Sequence, residues 1–207
     1  MVEVEIVLKA PGRCRKLGVF PGSFHPITRA HMALAQAALA HVDEVLFVLP
    51  RQFPHKQYEE VALEQRMEIL TRALHGEDRF SAGISSGGLF IEMTRECGEH
   101  YPEAAQIWLL CGRDAAERII HWDYREEISL PDQLKEFGLL VASRLGAYAP
   151  PDRLRDRIRT LPLPEDYDQI SATLIRRRIR AGETWEHLVP DASRELVRRH
   201  YAQRELP

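Results

Sequence analysis

The residues best equipped for chemistry lie close together, between Gly18 and His31. Thr28 and His31 are three positions apart at the predicted start of a helix, so both side chains lie on the same side of that helix. The first amides of a helix have no intrahelical acceptor, and the helix dipole makes that end electropositive. A hydroxyl, an imidazole and these amides together predict an anion site, most naturally one for a phosphate.

A second group of this kind comes near the end of the chain. Ser171 is a favourable N-cap for a helix that runs to about Ala181 and ends at Gly182. Thr173 and Arg176 follow in its first two turns, and a guanidinium can hold two phosphate oxygens at once. Taken alone, the same stretch also fits an ordinary capped helix.

Apolar segments predict the elements that position these groups. The run 45–49 is apolar throughout, which is typical of a parallel strand buried on both faces. With a strand at 17–20 and a helix at 28–40, it forms a strand–helix–strand unit with a right-handed crossover, and ligands of such sheets bind beyond the carboxyl ends of the strands. The other predicted elements are strands at 2–8, 106–112 and 138–143, a short strand before Ser85 within the stretch 80–92, helices at 61–75, 89–99 and 191–203, and a surface connector with one short helix at 150–169.

This order predicts an α/β protein with an open, doubly wound parallel sheet of Rossmann type, in three α/β/α layers. The 207 residues suit a single domain, 1–207. Within it, we expect an N-terminal extension at 1–16 and a C-terminal helical packing segment at 183–207.

Charge and cysteine content narrow the classes of partner. The net charge of −3 favours neither nucleic acid nor a membrane surface, and no apolar run approaches the ~20 residues that a membrane span needs. Cys14, Cys97 and Cys111 are scattered, which predicts reduced thiols in a cytoplasmic protein. We therefore expect small-molecule partners; whether the protein forms a homo-oligomer is left open.

Two further loops leave the carboxyl ends of predicted strands. One contains His55 and Lys56, which could meet a phosphate there or belong to a basic surface loop. In the other, Gly112 permits a tight turn, and Asp114 suits a helix N-cap as well as a ligand contact. Arg66 lies off the apolar stripe of its helix and is predicted to be solvated.

The first chemical group resembles the signature of the nucleotidyltransferases with a HIGH-type motif. The matching positions are Gly18, Phe20, Pro26, Thr28 and His31. Ala30 stands where that family has a glycine. The motif also lies between a predicted strand and a predicted helix, which is where this family has it. The resemblance therefore holds for the structural context as well as for the residues.

Three later stretches resemble the same superfamily in the same order, most closely its nicotinate/nicotinamide-nucleotide adenylyltransferases. They are Pro54-His55-Lys56, then Gly112, Asp114 and Trp122, and last Ser171, Thr173 and Arg176. Ala172 replaces the second serine of the last motif. Leu89-Phe90 replaces a Tyr-Thr pair by which nicotinate enzymes read the pyridine carboxylate.

The resemblance implies a Rossmann-like nucleotidyltransferase fold and an adenylyltransferase that transfers AMP from ATP to nicotinate (or nicotinamide) mononucleotide in NAD biosynthesis. It implies Mg²⁺ bound through the ATP phosphates, and no metal held by the protein alone. The implied catalytic residues are His31, Thr28 and Arg176. The implied ATP- or phosphate-binding residues are Gly18, Phe20, Gly22, Ser23, Phe24, Lys56, Gly112, Asp114, Ser171 and Thr173. The implied acceptor-binding residues are His55, Trp122 and Arg144.

Two alternatives stay open at this point. The first is the same chemistry on another phosphorylated acceptor, such as phosphopantetheine, or a sugar or alcohol phosphate with CTP; the missing Tyr-Thr pair favours it. The second is a nucleotide-binding module without catalysis, which Ala30 and Ala172 favour. A third reading, a serine hydrolase with Ser23 as its nucleophile, is disfavoured because the sequence around Gly22-Ser23 lacks the Gly-x-Ser-x-Gly motif of such enzymes.

Overall fold

A computed structural model describes residues 3–51, 61–87, 90–121, 129–143 and 148–202. Within these ranges one seven-stranded sheet runs through the molecule in the order β1-β4-β3-β2-β5-β6-β7. Its strands are β1 (Val4–Leu8), β2 (Lys16–Pro21), β3 (Glu44–Pro50), β4 (Phe80–Ser85), β5 (Gln106–Gly112), β6 (Phe137–Ser143) and β7 (Ile158–Pro162). The strands β2 to β7 are parallel, and β1 joins β4 in antiparallel pairing.

Helices cover both faces of the sheet. They are α1 (Arg29–Ala38), α2 (Leu63–Ala73), α3 (Phe90–Glu99), α4 (Arg113–His121), α5 (Leu130–Glu136), α6 (Ala172–Arg180) and α7 (Arg194–Val197). Buried residues of α1, α2, α6 and α7 share one apolar cluster with one face of the sheet, and those of α3, α4 and α5 share a second cluster with the other face. The predicted three-layer, doubly wound architecture is therefore confirmed.

The sheet opens between its two central strands. Pairing of β2 with β5 ends at Val19 and Leu109, although β2 continues to Pro21 and β5 to Gly112. On their other sides, β2 pairs with β3 as far as Pro21, and β5 pairs with β6 as far as Gly112. The carboxyl ends of β2 and β5 thus flank a crevice where the strand order reverses, the place at which doubly wound sheets bind ligands.

Two predicted segments are corrected. The expected surface connector at 150–169 contains β7, an edge strand paired with β6; prolines on either side and mixed burial along the strand hide it from a pattern search. The expected helix at 191–203 is three short pieces, a 3₁₀ turn at Asp191–Ser193, then α7, then a π-helical turn at Arg198–Ala202. Apolar spacing predicts a helix but cannot separate these three hydrogen-bond patterns.

Two smaller findings concern the class of protein. Within the described ranges, each helix is too short or too polar to cross a bilayer. The three cysteines are buried and form no disulfide, as the sequence predicted.

Candidate active site

The chain passes from β2 into α1 through a tightly packed loop, Gly22–Ile27. The Gly22 amide donates to the Val48 carbonyl at 3.0 Å, which continues the pairing of β2 with β3 for one more residue. Phe24 has a positive φ of 40°, and its ring folds back over Gly22. A Cβ on Gly22 would lie 2.8 Å from that ring, so only glycine fits beneath it.

Aromatic rings form the floor under His31. Phe20, Phe24 and Phe47 pack with ring centroids 5.4 Å apart, and the Phe24 centroid lies 5.2 Å from the imidazole of His31. Phe20 and Phe24 are buried, and their rings belong to the apolar cluster on this face of the sheet. They fix the plane of the imidazole, since edge-to-face packing of this kind is directional.

Thr28 and His31 form a reciprocal cap at the start of α1. The His31 amide donates to Thr28 Oγ1 at 3.2 Å, and the Thr28 amide donates to His31 Nδ1 at 3.0 Å. Because Nδ1 accepts that hydrogen bond, the proton of the neutral imidazole lies on Nε2. His31 is half-buried, and its imidazole belongs to the first turn of α1, the end of a helix where an anion is favoured.

Two predicted site residues in this region have structural contacts of their own. Thr28 has no exposed surface, and its hydroxyl accepts the cap hydrogen bond from the His31 amide, so that Thr28 orients His31. Gly18 lies inside β2, where a Cβ would meet Leu110 Cδ1 at 3.0 Å and Val42 Cγ2 at 3.1 Å. Gly18 therefore permits close packing of the sheet.

The second predicted anion-binding helix start lies against this loop. Ser171 Oγ accepts from the Leu174 amide at 3.1 Å, so Ser171 caps α6 as predicted. Arg176 Nη1 donates to the His25 carbonyl at 2.5 Å, and Nη2 donates to Thr173 Oγ1 at 3.4 Å. Arg176 thereby joins α6 to the β2–α1 loop across 151 positions of sequence. Thr173 is exposed, and Ser171 and Arg176 are half-buried.

His25, at the centre of the loop, is almost completely buried. Its exposed fraction is 2%, and its Nδ1 shares a hydrogen bond of 3.0 Å with the hydroxyl of Tyr201. Burial, together with the charges of Arg176, Arg66 and Arg180, lowers the pKa of His25 to about 3. His25 is therefore neutral at physiological pH, and it serves as a structural connector.

Arg66 is the functional-site residue that sequence reasoning missed. It was predicted to be solvated, but only 3% of it is exposed, and its Nη1 donates to the Ser23 carbonyl at 2.9 Å. A buried guanidinium held by a loop carbonyl fixes that loop and adds positive charge beneath it. Its hydrogen-bond partner is 43 positions away in sequence, so helical spacing alone carried no signal for the contact.

Of the remaining predicted site residues, four lie in the described part of the chain and four lie outside it. Gly112 ends β5 beside the crevice, where a Cβ would meet nothing within 4 Å, and Asp114 is exposed in the first turn of α4. Gly22 and Ser23 are half-buried in the β2–α1 loop. His55, Lys56, Trp122 and Arg144 lie outside the described residues.

Metal binding by the protein alone finds no support in the described part of the chain. No three His, Cys, Asp or Glu side chains there are grouped so that they could hold an ion.

The neutral state of His25 predicts an acid-sensitive fold. Its pKa falls from 6.5 to about 3 on folding, so between these values the unfolded chain binds a proton that the folded protein does not. Stability from this residue is complete above about pH 6.5 and is lost as the pH falls, by up to about 1.4 kcal/mol per pH unit. We expect His25→Gln to flatten the decline of unfolding free energy between pH 6.5 and 4.5, measured by urea denaturation. Equal slopes in the two proteins would contradict this account.

The fold and the site together define an α/β protein of the doubly wound class, with two helix starts beside the crevice of the sheet. The sequence profile of the cytidylyltransferase-like family matches residues 19–178, a span that includes both helix starts. The chain belongs to the cytidylyltransferase-like family.

Individual relatives agree with this assignment. The probable nicotinate-nucleotide adenylyltransferase of Rubrobacter xylanophilus is 31% identical over 88% of this chain and 89% of its own length. The protein of that name from Gloeobacter violaceus is 31% identical over 85% and 90%. Among solved structures, the nicotinic acid mononucleotide adenylyltransferase of Plasmodium falciparum in complex with NaAD superposes with a TM-score of 0.65. Its identity is 16%, over 89% of this chain and 95% of that one, so this likeness concerns the fold.

Proposed function

We propose that this protein is an adenylyltransferase that joins the AMP unit of ATP to nicotinate mononucleotide, or to nicotinamide mononucleotide, and releases pyrophosphate in NAD biosynthesis. The names of the relatives support this substrate pair. The observation that carries the proposal is the hydrogen bond from Arg176 to the His25 carbonyl, because it brings a guanidinium to the loop that presents His31.

The reaction needs no protein nucleophile. A phosphate oxygen of the mononucleotide attacks the α-phosphorus of ATP in line, and the bond from that phosphorus to the oxygen bridging to the β-phosphorus breaks. Pyrophosphate leaves with the electron pair of that bond. The protein has to orient both substrates and place positive charge where negative charge grows in the transition state.

The capped imidazole suits the first of these tasks. Its Nε2–H can donate to an oxygen of the α- or β-phosphate, and the start of α1 adds the favourable end of a helix dipole. Thr28 acts by holding the imidazole in that tautomer and orientation. We assign Gly22 and Ser23, in the half-buried part of the loop, to contacts with the phosphates through the backbone.

Arg176 suits the leaving pyrophosphate. Its planar guanidinium already spans the His25 carbonyl and Thr173 Oγ1, and it can turn bidentate donors toward the β- and γ-phosphates. We assign Ser171 and Thr173, at the same helix start, to the triphosphate as well. Bound with the nucleotide, Mg²⁺ would neutralise charge on the phosphates.

The other side of the crevice is assigned to the remaining parts of the substrates. Gly112 and Asp114, at the end of β5 and the start of α4, are proposed to meet the nucleotide ribose. His55, Trp122 and Arg144 are proposed for the acceptor, and Lys56 for the phosphates, on the strength of the motif resemblance. We treat residues 1–207 as one nucleotidyltransferase domain and propose a cytoplasmic location.

An acceptor screen tests the proposal directly. Pyrophosphate release is measured with ATP and with CTP against nicotinate mononucleotide, nicotinamide mononucleotide, phosphopantetheine and an alcohol phosphate. We expect the fastest release with ATP and a pyridine mononucleotide, and a dinucleotide as product. Faster pyrophosphate release with CTP or with another acceptor would show that the site catalyses that reaction instead. Binding of ATP in calorimetry without pyrophosphate release from any pair would mark a non-catalytic module.

A further inference from the structure

The C-terminal segment, residues 185–202, contacts the loop and helix starts that form the proposed triphosphate site. Trp185, Val189 and Val197 are buried in the same apolar cluster as Phe24 and Ile27 of the β2–α1 loop. The C-terminal segment is therefore part of the hydrophobic core beneath the β2–α1 loop.

Polar contacts tie the same segment to both neighbouring helices. Arg29, the first residue of α1, donates from Nε to the Val189 carbonyl at 3.2 Å and pairs with Asp191 at 2.5 Å. On the other side, His200 Nε2 lies 3.0 Å from Glu68 Oε2 of α2. The segment therefore spans from the start of α1 to α2, with the β2–α1 loop between them.

Tyr201 makes the central contact of this span. Its hydroxyl lies 3.0 Å from His25 Nδ1, and the two rings meet edge to face with centroids 5.2 Å apart. The carbonyl of His25 is the acceptor for Arg176 Nη1. One buried residue therefore receives Tyr201 on its ring and Arg176 on its backbone.

From this arrangement we infer that Tyr201 is a positioning residue that acts through His25 on Arg176. The hydroxyl of Tyr201 fixes the imidazole of His25, the imidazole fixes its own peptide carbonyl, and the carbonyl sets where the guanidinium points. Tyr201 does not itself need to touch a substrate. The inference rests on the proposed function for the identity of the phosphate ligand, and it extends the site to a residue 25 positions beyond Arg176.

The first test removes only the hydroxyl. In Tyr201→Phe the ring contact remains, and we expect the Kd for ATP in calorimetry to rise about three- to tenfold, as loss of one net hydrogen bond would give. We expect kcat to fall by a similar factor while KM for the pyridine mononucleotide stays unchanged. An unchanged Kd and kcat would overturn the inference.

A double-mutant cycle tests the route through Arg176. In an Arg176→Lys background the guanidinium is gone, so adding Tyr201→Phe is expected to change the Kd for ATP by less than twofold. If the two effects simply multiply, Tyr201 does not act through Arg176 and the inference fails.

Tyr101→Phe is the matched control. Its hydroxyl is buried and also hydrogen-bonded, 2.5 Å from Glu44 Oε1, but it lies at the amino ends of the strands, away from the crevice. We expect this variant to lose thermal stability and to keep the wild-type Kd and kcat. An equal loss of ATP affinity in both tyrosine variants would show a general effect of destabilisation and contradict a positioning role.

The calorimetric arm separates this inference from the proposed function. Should the wild-type protein release no pyrophosphate from any acceptor, the adenylyltransferase assignment fails, but the ATP affinities of Tyr201→Phe and of the cycle still decide the role of Tyr201. Should turnover be normal in the wild type and in Tyr201→Phe, the function stands and the inference falls.

Discussion

His31→Ala is expected to lower kcat by about 10²–10³, the usual cost of removing one preorganised donor from a transition-state site. The variant loses the imidazole, held by the cap, whose Nε2–H we propose to donate to the phosphates. Pyrophosphate release with ATP and nicotinate mononucleotide measures the effect. Turnover at the wild-type rate would contradict the assignment of His31.

The same substitution removes one hydrogen bond of the cap, so a stability control is needed. We expect a loss of about 0.5–1.5 kcal/mol in unfolding free energy, too little to unfold a domain of this size. His31→Asn supplies an amide oxygen that can accept from the Thr28 amide while the imidazole is absent. If this variant regains stability and stays slow, the catalytic loss belongs to the imidazole.

Arg176→Ala has the second large expected effect, a fall of about 10²–10³ in kcat/KM for ATP, because it removes the charge that we propose to stabilise the leaving pyrophosphate. Arg176→Lys keeps a charge but lacks the planar fork that reaches both the His25 carbonyl and Thr173, so we expect an intermediate loss. Steady-state kinetics with each substrate varied in turn measure both variants.

Arg177→Ala is the control for charge alone. Arg177 is the next residue of α6 and is exposed, so its removal changes the net charge equally without touching the loop. We expect near wild-type kinetics at physiological ionic strength, where exposed charges are screened. A comparable loss in Arg177→Ala would assign the effect of Arg176 to the general field of the helix.

Much of the fold could be predicted from the sequence because most of its strands and helices depend on residues that are close together along the chain. The apolar run of β3 and the N-cap Ser171 are each determined by a few neighbouring residues. By contrast, β7 depends on pairing with β6, and its own five residues do not alternate cleanly in burial. Tertiary pairing creates that strand, and a local pattern cannot reveal it.

The site shows the same division. The spacing of Thr28 and His31 predicted that they would be neighbours, but not that the hydroxyl would be used by the backbone and leave the imidazole as the donor. Arg66 and Tyr201 reach the loop from 43 and 176 positions away, and no periodicity links them to it. Residue spacing predicts which side chains are neighbours on one helix. It does not predict which distant group a side chain such as Arg66 or Tyr201 will hydrogen-bond in the folded protein.

The reciprocal cap at α1 joins secondary structure to reactivity in a single pair of hydrogen bonds. The amide of Thr28 reports on this pair without any substrate, because its proton exchanges with solvent only when the first helical turn frays. The same opening breaks the hydrogen bond to Nδ1 that holds the imidazole of His31 in its Nε2–H tautomer. The exchange rate at this one backbone position therefore reports the free energy of opening the first helical turn, which is also the free energy needed to lose the orientation of His31 that we propose for catalysis.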